Sequence, residues 1–483
     1  MMADLKPYAS YRTAEGEWLG AIPSHWIVRR VKYVLQETDS RSISGVEQLL
    51  RVSQFTGVTQ RLRAAGQEEQ DTRAASLVGY KRVEPDELVI NIMLAWNGSM
   101  GVSRYSGIAS PAYCVYRFRP DALPWYFHHL LRSPAYKARI KAMSTGVVES
   151  RLRLYSDDLS RIEALLPPPD EQAAIARFLD WANARLERTI RAKRRVIALL
   201  TEQKQAIIHR AVTRGLDPTL PLKPSGIAWL GDIPAHWEVR RIKHCITQIE
   251  QGWSPQCESH PADENTWGVL KVGCVNKDTF SPNQNKKLPA YLQPDVSLEI
   301  RDGDILMSRA NTKELLGLAA LAESPRSKLM LCDKIFRFRA KSNCFDSKYL
   351  VLSLRGKLSR AQIESSTNGA SSSMQNIGQG VLKNLWVAMP SIDEQIAIVT
   401  QIGVKTLPLA TAILRLEREI DLLREYRTRL VADVVTGKLD VREAAAALPQ
   451  DELSSSIELD ALGTDDDPGD QEESEPDDEE TAA

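Results

Sequence analysis

No two of the six cysteines stand as a CxxC pair, and none is spaced with the seven histidines as a zinc-ligand set. Cys114, Cys245, Cys257, Cys274, Cys332 and Cys344 therefore read as reduced, mostly buried thiols in a reducing compartment, and no metal site is expected. No run of 18 or more apolar residues occurs, so no membrane span is expected. The opening residues, MMADLKPYASYR, hold no apolar stretch of the signal-peptide kind, which makes cytoplasmic residence the default. Catalytic signatures are missing as well. There is no GxGxxG, no GxxxxGK[ST] and no [DN]-P-P-[FYW]. The triple proline Pro167-Pro168-Pro169 lacks the acid or amide and the aromatic that an amino-methyltransferase tetrapeptide needs. No carboxylate cluster of a nuclease is evident. No signature of those enzyme classes is therefore present.

Basic residues are missing from one region only. Residues 449–483 carry fifteen Asp or Glu and no Lys or Arg. Without them, residues 1–448 hold 62 basic against 48 acidic side chains, a net charge of +14 hidden behind the overall −1. A basic folded body fits a polyanionic partner, nucleic acid above all. The acidic tail cannot bury a core and is expected to be disordered, screening the basic surface or aiding solubility. At 483 residues and 43% hydrophobic content, the remainder can form two or more domains.

What the chain has is a doubled plan. Trp18 to Lys32 reads WLGAIPSHWIVRRVK and Trp229 to Lys243 reads WLGDIPAHWEVRRIK, with eleven of fifteen positions identical at an offset of 211. Pro167 opens PPPDEQAAIA and Pro390 opens PSIDEQIAIV at an offset of 223. A long helix is predicted after each DEQ. Leu186, Ile190, Ile197, Leu200, Ile207 and Ala211 keep heptad spacing in the first copy. Leu409, Ile413, Leu416, Ile420, Leu423, Leu430 and Val434 do so in the second. The same offset of 223 maps every member of the first set onto the second, so both helices share one register. Charged residues interrupt the seams at Lys193, Lys204 and Arg427. A continuous helix from Gln172 to Val212 would span about 60 Å at roughly 1.5 Å per residue. Pro408 predicts a break and a fresh start in the second helix.

Between the repeats lie two dissimilar units. Leu88 to Met93 and Ile305 to Met307 read as buried strands, Tyr113 to Phe118 and Lys334 to Phe338 as alternating strands. A helical stretch follows in each (Trp125 to Met143, Lys348 to Glu364), then a small-residue loop. The fold class is α+β with a two-fold pseudo-repeat. Its divisions are a lead-in over 1–37, a first unit over 38–166 and a first long helix over 167–214. A linker and second lead-in follow over 215–248, a second unit over 249–389, a second helix over 390–440 and the tail over 441–483.

The doubled WLGxIPxHW with its VRR and the doubled DEQ resemble the specificity subunits of type I restriction–modification systems. So does the doubled helix end, Val212-Thr213…Leu216-Asp217 and Val435-Thr436…Leu439-Asp440. The resemblance covers roughly 15–440. It implies two target recognition domains, each α/β, separated by two helices that form an intramolecular antiparallel coiled coil. Each domain would read half of a bipartite site in double-stranded DNA, and helix length would set the unread spacer. Two modification subunits and two restriction subunits are the implied partners. S-adenosylmethionine, ATP and Mg would be used by those partners, with no cofactor on this chain. Dissimilar units imply an asymmetric site. Two other readings stay open: a DNA-binding scaffold of an anti-restriction or phage-exclusion complex, and a coiled-coil adaptor without a DNA role.

Direct readout needs Arg or Lys for guanine, Asn or Gln for adenine, and short hydroxyls displayed on loops. In the first unit the candidates are Asn97, Ser99, Ser144, Thr145, Gly146, Arg151 and Arg153. In the second they are Arg309, Asn311, Lys313, Asn368, Ser371, Ser372, Gln375 and Asn376, with Lys271 and Lys277 as weaker choices. Arg29, Arg30, Arg240 and Arg241 sit in the repeated lead-ins and suit structure or docking. Trp26 and Trp237 suit packing. The carboxylates Asp170, Glu171, Asp393 and Glu394 read as first-turn residues favoured by the helix dipole.

Overall fold

The computed structural model describes residues 5–61, 76–148, 151–227, 230–366 and 375–449. The chain divides into two compact units. One joins the residues up to Lys193 with those from Arg418 onward, and the other is the continuous stretch Arg194–Glu417. Each contains one half of each long helix.

In unit 1, Tyr11–Thr13 pairs antiparallel with Ala21–Pro23, and Ile27–Arg30 with Glu163–Leu166. The main sheet is antiparallel in the order Leu35–Thr38, Tyr113–Phe118, Leu88–Asn91, Met100–Val102. Leu88 to Asn91 is buried along its whole length, as a strand covered on both faces requires. The single helical stretch expected over Trp125 to Met143 is two helices, Pro124–Leu131 and Pro134–Met143. Pro134 has no N–H to continue the first helix, and it opens the second at a position that needs none.

Unit 2 repeats the frame at the sequence offsets. Leu222–Pro224 pairs with Asp232–Pro234, and Glu238–Arg241 with Trp386–Met389. The main sheet runs Glu250–Gln251, Ile335–Phe338, Ile305–Ser308, Ala319–Leu321. The helical stretch is again split, into Ser347–Arg355 and Lys357–Ser366 at Gly356. Ile335 to Phe338 alternates in the face each residue presents but not in exposure; all four residues are buried. Phe336 and Phe338 face one apolar cluster, Ile335 a second one built on Val269, Leu306 and Met330. Arg337 stays under cover because its guanidinium donates to Glu250 and to the carbonyl oxygens of Ser297 and Glu299.

The long helices are Pro169–Arg214 and Ile392–Val435, and they pack together. Lys193 pairs with Glu419 at 2.5 Å and Glu187 with Arg427 at 3.4 Å, so the helices run antiparallel in unit 1. Leu186, Ile190, Ile197, Leu200 and Ile207 are buried or half-buried, and so are Leu409, Ile413, Leu416, Ile420, Leu423 and Leu430. The interrupting charges each have a partner. Lys193 and Arg427 reach carboxylates of the opposite helix, and Lys204 leaves the seam for Asp278.

The break expected at Pro408 does not occur; the second helix runs through it. Proline removes the hydrogen bond to the carbonyl of Val404. Both residues lie on the exposed side, where water can serve that oxygen. The packed seam opposite holds the helix together across the gap. This helix contains an 18-residue window of mean hydropathy 1.5. Part of that apolar surface is uncovered: Ile396, Val404, Leu407 and Leu414 are half or more exposed. The matching stretch of the first helix is covered. Phe178 and Trp181 share a buried cluster with Ala445 and Leu448 of the segment after the second helix.

Candidate nucleic-acid interface

The two repeated motifs meet in space, once in each unit. Glu171 is 4% exposed and accepts from Trp26 Nε1 at 2.8 Å and from the Tyr8 hydroxyl at 2.6 Å. His25 Nε2 lies 2.8 Å from its other oxygen. Burial, and then Glu171 itself, push the Tyr8 hydroxyl far above its ordinary pKa, so it stays a donor. In unit 2, Glu394 accepts from Trp237 Nε1 at 3.0 Å and lies 2.9 Å from His236 Nε2. The next residue acts in parallel. Gln172 donates to the carbonyls of Asp121 and Pro167 and accepts from the Leu123 amide. Gln395 donates to those of Cys344 and Pro390 and accepts from the Asp346 amide. DEQ is thus a tie between lead-in, helix pair and long helix. Asp170 and Glu171 do lie in the first turn, but dipole complementarity is the lesser part of what Glu171 does. A signal for this was present: HW and DEQ are doubled together, and a buried indole N–H requires an acceptor.

Trp26 and Trp237 are buried at 1% and 0% exposure, as packing anchors. The lead-in arginines serve their own surroundings. Arg29 approaches Asp121, Arg240 pairs with Glu238, and Arg241 donates to Asn384 while lying over Trp386.

The described candidate readers gather at one place in each unit. In unit 1 the buried strand ends at Asn91, and the carbonyl of the next residue, Ile92, accepts from the Leu154 amide at 2.9 Å. The turn Ala95–Asn97 therefore adjoins the segment from Ser144 to Arg153. Thr145 and Arg153 exchange backbone hydrogen bonds, closing a hairpin. A Cβ on Gly146 would stand 2.6 Å from the Arg151 carbonyl, so only glycine fits there. Thr145, Gly146, Arg151 and Arg153 are exposed. In unit 2 the strand ends at Ser308, and the carbonyl of the next residue, Arg309, accepts from the Ile377 amide. Ala310–Asn311 then pairs antiparallel with Gln375–Asn376. The equivalence is positional, since Leu154 and Ile377 differ by the offset of 223.

Four candidates are building elements rather than free readers. Ser99 is 3% exposed, and its hydroxyl donates to Asn97, which also accepts from the Ser99 amide. Asn97 is thereby committed through its oxygen. Ser144 caps its helix by donating to the Ile140 carbonyl. Asn311 is 9% exposed, bonded to Asn276 and to the Thr312 amide. Short polar side chains in turns are recruited by their own backbone, which a composition-based choice does not see. Arg309 is half committed: it donates to the Asp333 carbonyl and lies over Phe336. Lys313 and Asn376 are exposed and Gln375 half-buried. Asn368, Ser371 and Ser372 lie outside the described residues, as does the acidic tail from residue 450.

Beneath both clusters lie cations missed from the sequence. Arg132 donates to the carbonyls of Gln54, Phe55 and Met100. Its counterpart Arg355 donates to those of Val275 and Ala319. Lys137 packs against the Gly98 turn, and burial together with Arg132 pushes its ammonium below the usual lysine range. Its counterpart Arg360 donates to the carbonyls of Lys313 and Leu316.

No protein-family model matches the chain. Curated relatives do. The chain is 37% identical over 172 residues to the type I restriction enzyme EcoEI specificity subunit of Escherichia coli. That match covers 35% of this chain and 29% of the relative. It is 22% identical over 336 residues to the EcoKI specificity subunit of Escherichia coli strain K12, covering 67% of this chain and 68% of the relative. The chain thus spans under a third of the first relative and about two thirds of the second. A solved chain from a study of the assembly and conformational transition of a type I R-M system superposes with a TM-score of 0.58. It is 16% identical and covers 86% of this chain and 99% of its own, which is a likeness of fold.

Proposed function

Because this chain is similar to type I restriction enzyme specificity subunits, we propose that it is the DNA-reading subunit of such a complex. It reads an asymmetric bipartite site, one half per unit, and does no chemistry itself. The observation that carries this reading is the pair of loop clusters on matched frames. The same strand end and the same returning segment present different residues: Thr145, Arg151 and Arg153 in unit 1, Lys313, Gln375 and Asn376 in unit 2. A matched frame with unmatched loops suits two half-sites of different sequence. The net +14 of residues 1–448 supplies attraction to phosphate.

The continuous paired helices act as a ruler that fixes the unread gap. The uncovered stripe Ile396, Val404, Leu407 and Leu414 supports docking of partner subunits on the helices. Those partners are two modification subunits, which methylate adenine with S-adenosylmethionine, and two restriction subunits, which use ATP and Mg. The complex works in the cytoplasm.

The test is single-molecule methylation sequencing of DNA from cells making this chain with its modification subunit. A bipartite, asymmetric N6-methyladenine motif with a fixed gap is expected. An assembled complex that leaves no such motif would overturn the reading.

A further inference from the structure

In unit 2, a groove of about 390 Å³ opens where the helix Lys357–Ser366 begins. Its walls include Gln205, Leu318, Arg355, Lys357, Arg360 and Glu364. Three cations line it against one carboxylate. Glu364 is about half exposed and 3.7 Å from Arg360. Asp278 pairs with Arg355 at 3.2 Å and is shared with Lys204. Both guanidiniums are largely withdrawn from water, and burial pushes each below the ordinary arginine range. Lys357 is exposed, and His209 stands near it with Nδ1 buried and without a partner among the described residues. Burial, then Lys357 and Arg214, hold that imidazole below its usual value, so it favours the neutral form. The first-turn N–H groups of the helix lack intrahelical acceptors and add to the positive field.

The groove adjoins the reading cluster. Arg360 holds the carbonyls of Lys313 and Leu316, and Leu318 closes that same turn. Unit 1 keeps cations at two of the matching positions, Arg132 and Lys137, but has Pro134 where unit 2 has Lys357, and its loops differ. Arg355 and Arg360, like Arg132, are spent on backbone carbonyls, so the exposed ammonium of Lys357 is the cation the groove offers, a point charge suited to phosphate, the part of DNA that carries no sequence.

We propose that this groove takes one backbone phosphate beside the half-site read by unit 2. Lys357 makes the direct contact, and Arg355 and Arg360 supply the surrounding field. This rests on the DNA-reading function above and names residues that position the duplex without reading bases.

The experiment measures DNA binding by the assembled complex of full-length chain and modification subunit against salt concentration. Cognate and scrambled duplexes are compared for wild type, Lys357→Ala and Lys357→Arg. Losing one phosphate contact lowers the slope of log K against log salt by about 0.9, so the alanine complex loses about 3.5-fold less affinity between 50 and 200 mM salt. Affinity is expected to fall by a similar factor on both duplexes, with the methylated motif unchanged and the slope restored by arginine. An unchanged slope, or a loss confined to the cognate duplex, overturns the proposal. A free phosphate is the other source of the same chemistry. Stabilisation of the complex by inorganic phosphate that Lys357→Ala abolishes, with the DNA slope intact, would assign the groove to it and also overturn the proposal. If wild type binds both duplexes alike, the DNA-reading function itself fails. If wild type discriminates and the alanine slope is unchanged, only the groove assignment does.

Discussion

Glu171→Ala and Glu394→Ala remove the same side chain from the same motif, yet the structure predicts unequal costs. Glu171 is 4% exposed and serves two buried donors, Trp26 Nε1 and the Tyr8 hydroxyl. Its third partner, His25, is 42% exposed in its side chain and can turn to water. Each buried donor left unpaired costs about 1–3 kcal/mol, so the two together cost about 2–6 kcal/mol. About 4 kcal/mol is the expected loss for unit 1. Glu394 is 22% exposed, serves Trp237 alone among buried donors, and leaves room for a replacing water. About 2 kcal/mol is expected for unit 2. Hydrogen exchange read by mass spectrometry over Ile22–Arg30 and Ile233–Arg241, with urea unfolding of each variant, measures both. An alanine at 394 that costs as much as one at 171, or exchange that rises equally in both lead-ins, would refute the assignment of Tyr8 and burial as the difference.

Pro408→Ala should stabilise unit 2 by about 2 kcal/mol, since proline costs about 3 in a helix interior and returns up to about 1 through the unfolded chain. A melting temperature that does not rise would mean the proline shapes the helix. Cys332 is buried, and burial pushes its thiol from 9.0 up to about 11. The folded state holds that proton more tightly than the unfolded one. Its contribution is therefore full below about pH 9 and lost as pH climbs toward 11, by roughly 2–3 kcal/mol. Urea midpoints of wild type and Cys332→Ala should converge over that window. Arg151→Ala and Arg153→Ala should relax one half of the methylated motif by about 1–3 kcal/mol at any guanine they contact and leave the other half intact. Changes in both halves would detach the hairpin from base reading.

The repeat offsets in the sequence anticipated the frame closely. The 211 separating the lead-ins separates their strands, and the 223 separating the DEQ motifs separates the strands and helices beside them. Heptad spacing found the seam, because apolar periodicity is a direct consequence of helix geometry. Pro408 was misread because local propensity is overridden when a helix is held by its packed face. That Ser99, Ser144 and Asn311 are bonded close to their own turns was not legible, because residue type does not reveal whether a hydroxyl or amide is already spent there. Arg132 and Arg355 were missed because carbonyl oxygens from distant segments have no sequence signature.

Unit 2 is continuous in sequence, whereas unit 1 takes its parts from both ends of the chain. During synthesis the residues of unit 2 are complete while unit 1 still lacks its last helix. Until that helix leaves the ribosome, the clusters around Trp26 and Trp181 have nothing from Leu430, Val434, Ala445 or Leu448 to close on. The Lys6 carbonyl likewise waits for the amide of Asp440. The half of the protein made first is therefore the half finished last. A nascent chain stalled when residue 417 has just cleared the exit tunnel should carry a folded second unit and an open, chaperone-binding first one.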